Sequence, residues 1–318
     1  MIMPTKTISI LALIAGLVLL AGCEVEEEPL TYTFVSMWGE QGSEPGAFHE
    51  PIGIAISGDE VFVSDAQNSR IQVFDREGGF LREFGGDGDE NGLNRPMHVD
   101  IHEDVLYVSD FARDRVNLFS LEGELLGEVG ASGLGEGEFD SPGAVAVDAD
   151  GRLHVVDFYG HRVQRLDRDG SLLEQWGTAG EPGMEEGLFM YPTDVTLLPD
   201  GGFIVGDAYN HRVQAFDGDG NLRWVVPADG PEEGSGEGRL NVATAVTVGP
   251  AGEIFVVDFY NHRLQQFDAD GTFVQAFGEG GSGEGQFERP TAAAFDDEGY
   301  LYVVDHGNNR IQKFAPQQ

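Results

Sequence analysis

Four sets of residues have the type and spacing to do chemistry. The first is an acid–base pair present six times: Asp65 with Arg70, Asp110 with Arg115, Asp157 with Arg162, Asp207 with Arg212, Asp258 with Arg263, and Asp305 with Arg310. The partners are always five residues apart. A carboxylate and a guanidinium so placed can meet as a fork across neighbouring strands. A pair needed in every copy serves each copy, so these twelve residues are expected to be structural. The second set is aromatic: Phe158, Tyr159 and His161, then Tyr209 and His211, then Phe259, Tyr260 and His262. Flat rings with polar tips suit contact with peptides, proteins or sugars, and these eight are the candidate ligand-binding residues. The third set is His98, Asp100 and Asp194, three polar residues at places where the other copies carry mostly small ones. The fourth is Cys23, the only cysteine, which rules out an internal disulfide and a cysteine-rich zinc site.

The elements that must position these groups come from one repeated unit. Each Asp–Arg string follows two small or branched residues, as in Val63-Ser-Asp65 and Val256-Val-Asp258, and the aspartates recur at steps of 45 to 51 residues. A proline stands 14 or 15 residues before the aspartate (Pro51, Pro96, Pro142, Pro192, Pro290), with Ala243 in the fifth copy. A large apolar residue follows nine after it: Phe74, Phe119, Leu166, Phe216, Phe267 and Phe314. Within a copy the hydrophobic period is two, broken by Gly/Asp turns, and no helical period appears. Four short strands per copy, six copies and no helices give an all-β, six-bladed β-propeller of four-stranded antiparallel blades. The chain ends after what reads as a third strand, Arg310-Ile-Gln-Lys-Phe314. Residues 32–38 read as a fourth, so they are expected to close the ring in the last blade.

These strings resemble the NHL-repeat family, six-bladed propellers whose signature runs Gly-x-Phe-x-x-Pro and then Val-x-Asp-x-x-Asn-x-Arg-Ile-Gln-x-Phe. The resemblance covers residues 32–318. It implies the fold and leaves the function open, because propellers host many functions. Amidating lyases with an NHL-like propeller hold zinc through histidines directly after the repeat proline. Here those places are Ile52, Met97, Gly143, Thr193, Thr244 and Thr291, so that site does not carry over.

Metal chemistry is constrained further by ring geometry. Equivalent positions on adjacent blades of six lie as far apart as they lie from the axis, about 10 Å or more for strand ends. Zinc–nitrogen bonds are about 2.0 Å, so His161, His211 and His262 cannot share one ion. The Asp-x-Asp-Gly turns starting at Asp148, Asp167, Asp217 and Asp268 are what tight hairpins need. Asp87, Asp89 and Asn91 begin like a calcium loop, but His98 stands where a bidentate glutamate is required. No cofactor is expected. A divalent metal, calcium or zinc, has one candidate place, a channel site at His98, Asp100 and Asp194 of the lyase or lactonase kind.

The first residues form an address. Lys6 precedes an apolar run from Ile8 to Leu20, then Ala21-Gly22-Cys23. That is a secretory signal, and its end resembles the bacterial lipobox, which implies cleavage after residue 22 and lipidation of Cys23. An acidic tether, residues 23–31, follows. The chain is expected to be exported and lipid-anchored, at the outer membrane if the cell is Gram-negative and otherwise at the outer face of the cell membrane, and to meet the membrane through that anchor alone. Eighteen basic residues against 56 acidic ones give a formal charge of −38, which excludes nucleic acid as a partner. The sequence therefore points to a monomeric envelope lipoprotein that recognises a protein, peptide or glycan. The rivals are a metal-dependent lyase or lactonase-like enzyme in the channel and a structural scaffold of an envelope complex.

Overall fold

The computed structural model describes residues 30–86 and 92–317. Residues 1–29, which hold the expected signal peptide, Cys23 and the expected tether up to residue 29, and the Asp87–Asn91 string lie outside the described residues. The rest forms six four-stranded antiparallel sheets, with a two-stranded pairing of Glu279–Gly280 with Gln286–Phe287 beside them. The innermost strands of blades one to six are Pro51–Ser57, Pro96–His102, Pro142–Val147, Asp194–Leu197, Ala243–Val248 and Ala292–Phe295. The last blade takes Thr31–Trp38 as its outermost strand, antiparallel to Arg310–Gln317, with Phe34 opposite Phe314. The ring is thus closed as the sequence implies, with pairing begun one residue earlier, at Thr31. Closure by hydrogen bonding joins the two ends of the chain and removes an open edge.

The cores lie between blades. Phe62, Ile71 and Val73 of blade one pack on Val99, Leu106 and Phe119 of blade two. Val156 and Val163 of blade three pack on Val195, Phe203 and Phe216 of blade four. Each loop between blades sends one apolar residue into the seam, and Phe48, Phe139, Phe189 and Phe287 are fully buried there. The innermost strands converge so closely that small residues are required. A Cβ added to Gly53 would stand 2.6 Å from the Met97 carbonyl oxygen and 2.7 Å from the His98 Cα on the next blade.

The Asp–Arg pairs are the clamps of this ring. Arg Nε meets Asp Oδ2 at 2.9 Å for Arg70–Asp65, Arg162–Asp157 and Arg263–Asp258, and at 2.7 Å for Arg212–Asp207 and Arg310–Asp305. The guanidinium then donates to carbonyls of the preceding interblade loop: Arg162 to Leu134, Gly135 and Glu138, Arg212 to Met184, Glu185 and Leu188. The carboxylate accepts a backbone N–H two residues before the innermost strand or its proline, at 2.7 Å from His49, Asp140, Met190, Asn241 and Glu288. Burial raises the carboxyls of Asp157, Asp207 and Asp258 against the pull of their arginines.

Blade two departs from the expected six-fold pattern. Arg115 turns to Glu128 (Nη1–Oε1, 2.8 Å) instead of pairing with Asp110. Asp110 still accepts from the Asn94 and Arg95 amides. In blade one the arginine also holds the Ser43 and Glu44 carbonyls. The corresponding positions before Pro96 are 88 and 89, outside the described residues.

Candidate functional site

Two places gather the remaining chemistry: the face built by the interblade loops and second-to-third turns, and the central channel.

On the loop face, the turn after each repeated aspartate ends in a residue with left-handed backbone: Ser69, Asp114, His161, His211, His262 and Asn309, with φ between 51° and 56°. Asn, Asp and His are the residues that tolerate this region. From there the side chain reaches the next blade. Tyr191, Val242 and Arg289 donate their backbone N–H to Nδ1 of His161, His211 and His262 at 3.1, 3.2 and 3.0 Å. Ser141 donates to Asp114 Oδ1 at 2.8 Å and Glu50 to Asn309 Oδ1 at 3.1 Å. Ser69 instead donates its hydroxyl to the Asn94 carbonyl. One position thus latches each blade to its neighbour. The histidines are its imidazole version, each with an unprotonated Nδ1. His161 is only 5% exposed and burial lowers its pKa. It is therefore not a surface contact, and the exposed part of the arc is tyrosine.

Tyr159, Tyr209 and Tyr260 are 47%, 51% and 55% exposed. Phe158 and Phe259 lie beneath them, with ring centroids 5.0 Å from Tyr159 and 4.8 Å from Tyr260. Tyr191, from the loop before blade four, joins the set. Its centroid lies 5.1 Å from Phe158, 5.8 Å from Tyr159, 4.5 Å from His161 and 5.0 Å from Tyr209. Phe111 extends the cluster to blade two, 5.6 Å from Phe158. The result is a continuous run of edge-to-face and tilted rings across blades two to four, with Phe259 and Tyr260 as a separate pair on blade five. Tyr191 is the residue that motif reasoning missed. Its counterparts before the repeat proline or first-strand residue are Glu50, Arg95, Ser141, Val242 and Arg289, and no aromatic pattern marks the place.

The channel has a volume of about 350 Å³ and is lined by the six innermost strands. Its walls are mainly Ala, Val and Ile, and His98, Asp100, Asp194, Thr196 and Thr247 supply the polar groups. The structure brings His98 to Asp194 across the channel, Nδ1 to Oδ1 at 3.5 Å. Both carboxylates are already engaged. Asp100 Oδ2 accepts the Val147 N–H of blade three at 2.8 Å, and Oδ1 accepts that of Ile101 at 2.9 Å. Asp194 Oδ2 accepts the Val246 N–H of blade five at 2.7 Å. These amides belong to innermost strands, whose axial edge has no strand to pair with. Burial pushes Asp100 up to about 6 and raises Asp194, with backbone N–H donors and His98 acting in the opposite direction.

Three of the six residues after the repeat proline or first-strand residue, where the lyases would place histidine, are stitches of the same kind. Thr193, Thr244 and Thr291 donate their hydroxyls to Ala243, Pro290 and Ile52 carbonyls on the next blade. Among the described residues no three or more His, Cys, Asp or Glu side chains are grouped to hold a metal ion. The Asp-x-Asp-Gly carboxylates are likewise occupied within their turns, Asp167 accepting from Asp169 and Ser171 and Asp217 from Asp219 and Asn221.

Comparison with known proteins agrees with this architecture. The NHL repeat model matches residues 48–74, 189–216, 240–267 and 287–314, in blades one, four, five and six. Those are the blades with asparagine three residues after the repeated aspartate. Asn68, Asn210, Asn261 and Asn308 each bridge that carboxylate to a loop carbonyl. Blades two and three have Arg113 and Gly160 there.

A stretch of 49 residues is 45% identical to the protein brain tumor of Drosophila melanogaster, 15% of this chain but 5% of that protein's length. Among solved structures, virginiamycin B lyase from Staphylococcus aureus is similar over 91% of this chain and 99% of its own, at 13% identity and a TM-score of 0.58. An auxiliary nutrient binding protein from Bacteroides ovatus is similar over 91% and 78%, at 14% identity and 0.68. At such identities the likeness is one of fold. With the NHL repeat matched in four blades and the same clamps in five, the chain carries NHL repeats within a six-bladed β-propeller.

Proposed function

We propose that this propeller is a recognition module and that it binds a peptide, protein or glycan on the loop face. One observation carries the reading: Tyr159 and Tyr209, about half exposed, are joined through Tyr191 and Phe158 into one ring cluster, with Tyr260 further along the same face. Exposed aromatics held in fixed geometry give contact area at little entropic cost. The solved neighbour described as a nutrient binding protein supports the propeller as a binding scaffold. In this reading Cys23 carries the lipid anchor, and the partner is met in the cell envelope.

The rival, metal-dependent lyase or lactonase-like chemistry at His98, Asp100 and Asp194, has less support, because both carboxylates already hold backbone amides. A panel of envelope peptides and oligosaccharides separates the two. Tyr209→Ala with Tyr260→Ala should cut retention of bound ligands at least tenfold with an unchanged melting temperature. His98→Ala with Asp194→Ala should leave retention in place. Loss of retention, or of one equivalent of bound metal, only in the channel variant would favour the enzyme.

A further inference from the structure

The loops beside the tyrosines combine apolar and acidic groups in an unusual way. Leu134 and Met184 are exposed large side chains on the two loops that flank the cluster, residues 131–141 and 178–191. The same loops carry Glu136, Glu138, Asp140, Glu181, Glu185 and Glu186 and neither Lys nor Arg. The guanidiniums beneath them, Arg162 and Arg212, are buried and committed to Asp157, Asp207 and loop carbonyls. Among the described residues no ion pair joins any of the six loop carboxylates to a basic side chain.

These loops are also fixed in place. Arg162 holds the Leu134 carbonyl at 2.9 Å and that of Glu138 at 2.8 Å, and Arg212 holds those of Met184 and Glu185 at 2.8 Å. Tyr159 donates its N–H to the Asp140 carbonyl, Tyr209 to that of Met190, and Gly180 to that of Gly160. The clamps of the fold therefore hold the loops that carry the apolar groups and carboxylates against the turns that carry the tyrosines.

Resting on the binding reading above, we infer that the occupant of this face is a cationic polypeptide segment in which arginine or lysine alternates with apolar residues. Guanidinium and ammonium groups lie favourably on the faces of tyrosine rings. The carboxylates supply the complementary charge and steer the encounter. Leu134 and Met184 take apolar side chains, which a bare cation or a sugar would leave unmatched. A nucleic acid would be repelled.

The test uses the purified full-length chain in detergent with fluorescent dodecapeptides of the repeats Arg-Ala-Leu, Ser-Ala-Leu and Glu-Ala-Leu, and cellohexaose as a neutral glycan. Binding should follow the order Arg > Ser > Glu and weaken at least tenfold between 50 and 500 mM salt. Tyr159→Ala with Tyr209→Ala should weaken the arginine peptide at least tenfold. So should Glu181→Gln, Glu185→Gln and Glu186→Gln together. Asp268→Asn with Asp270→Asn, on the blade-five hairpin turn away from these loops, should change it less than twofold. Arginine-peptide binding indifferent to the tyrosines would be general attraction to an acidic chain and would overturn the inference. Tyrosine-dependent binding of the serine or glutamate peptide, or of cellohexaose, at equal strength would overturn the charge assignment and leave the recognition face standing. No tyrosine-dependent binding of any probe would remove both.

Discussion

A single side chain at a left-handed turn ties each blade to the next, and three blades use histidine for it. The latch needs a bare Nδ1, because the partner is a backbone N–H. At His161, burial lowers the native pKa. The native state then binds the proton less readily than the unfolded chain, whose histidine titrates near 6.5. Its contribution is complete above that value and is lost as the pH falls from about 6.5 toward the depressed native value. His161→Ala should cost about 1–2 kcal/mol by stranding the Tyr191 amide. His161→Asn, copying Asn309 of blade six, should cost less than about 0.5 kcal/mol and flatten this pH dependence. Urea unfolding between pH 5 and 8 reads both, and equal losses in the two variants would refute the latch. The histidines were visible in the sequence as a repeated place, but their partner was not. It lies about 30 residues away on another blade, and its backbone amide has no signature. The Asp–Arg pairs were legible as structure because they recur in every copy. The exception at Arg115 was not, since nothing local distinguishes it.

At the scale of elements, the innermost strands pose the harder physical problem. They converge on the axis and each leaves amides that no strand can pair. Gly53 answers the crowding, and Asp100, Asp194, Thr193, Thr244 and Thr291 answer the unpaired groups. The sequence marked Asp100 and Asp194 as departures from a small-residue pattern and could be read as a metal site. The stitching role emerges only when the next blade is in place. The cost of burying Asp100 can be measured. Its native pKa of about 6 exceeds the ordinary 3.8, so the native state holds the proton more tightly. Stability from this group is full below about 3.8 and lost as the pH rises through about 6. At about 1.4 kcal/mol per unit, the effect is at most about 3 kcal/mol. The stability difference between the parent and Asp100→Asn should therefore grow in the parent's favour as the pH falls from 7 to 4. A flat difference would show that Asp100 titrates normally.

Taken whole, the molecule is one ring whose clamps also shape its outer face. Fold class, blade number and the strand that closes the ring were all legible, because six copies of one pattern leave few other solutions and the missing fourth strand had one candidate. The proposed binding face was half legible: the three exposed tyrosines follow the repeat, whereas Tyr191, Leu134 and Met184 stand in loops that differ from blade to blade. The proposed site of ligand contact is this face and not the channel. Hydrogen–deuterium exchange with the tightest-bound peptide or oligosaccharide of the panel tests that most directly. Slowed exchange is expected in residues 131–141, 158–161, 178–191 and 208–211, with the innermost strands around His98, Asp100 and Asp194 unchanged. Protection confined to those inner strands, or to the opposite hairpins at Asp148–Arg152 and Asp217–Asn221, would contradict it.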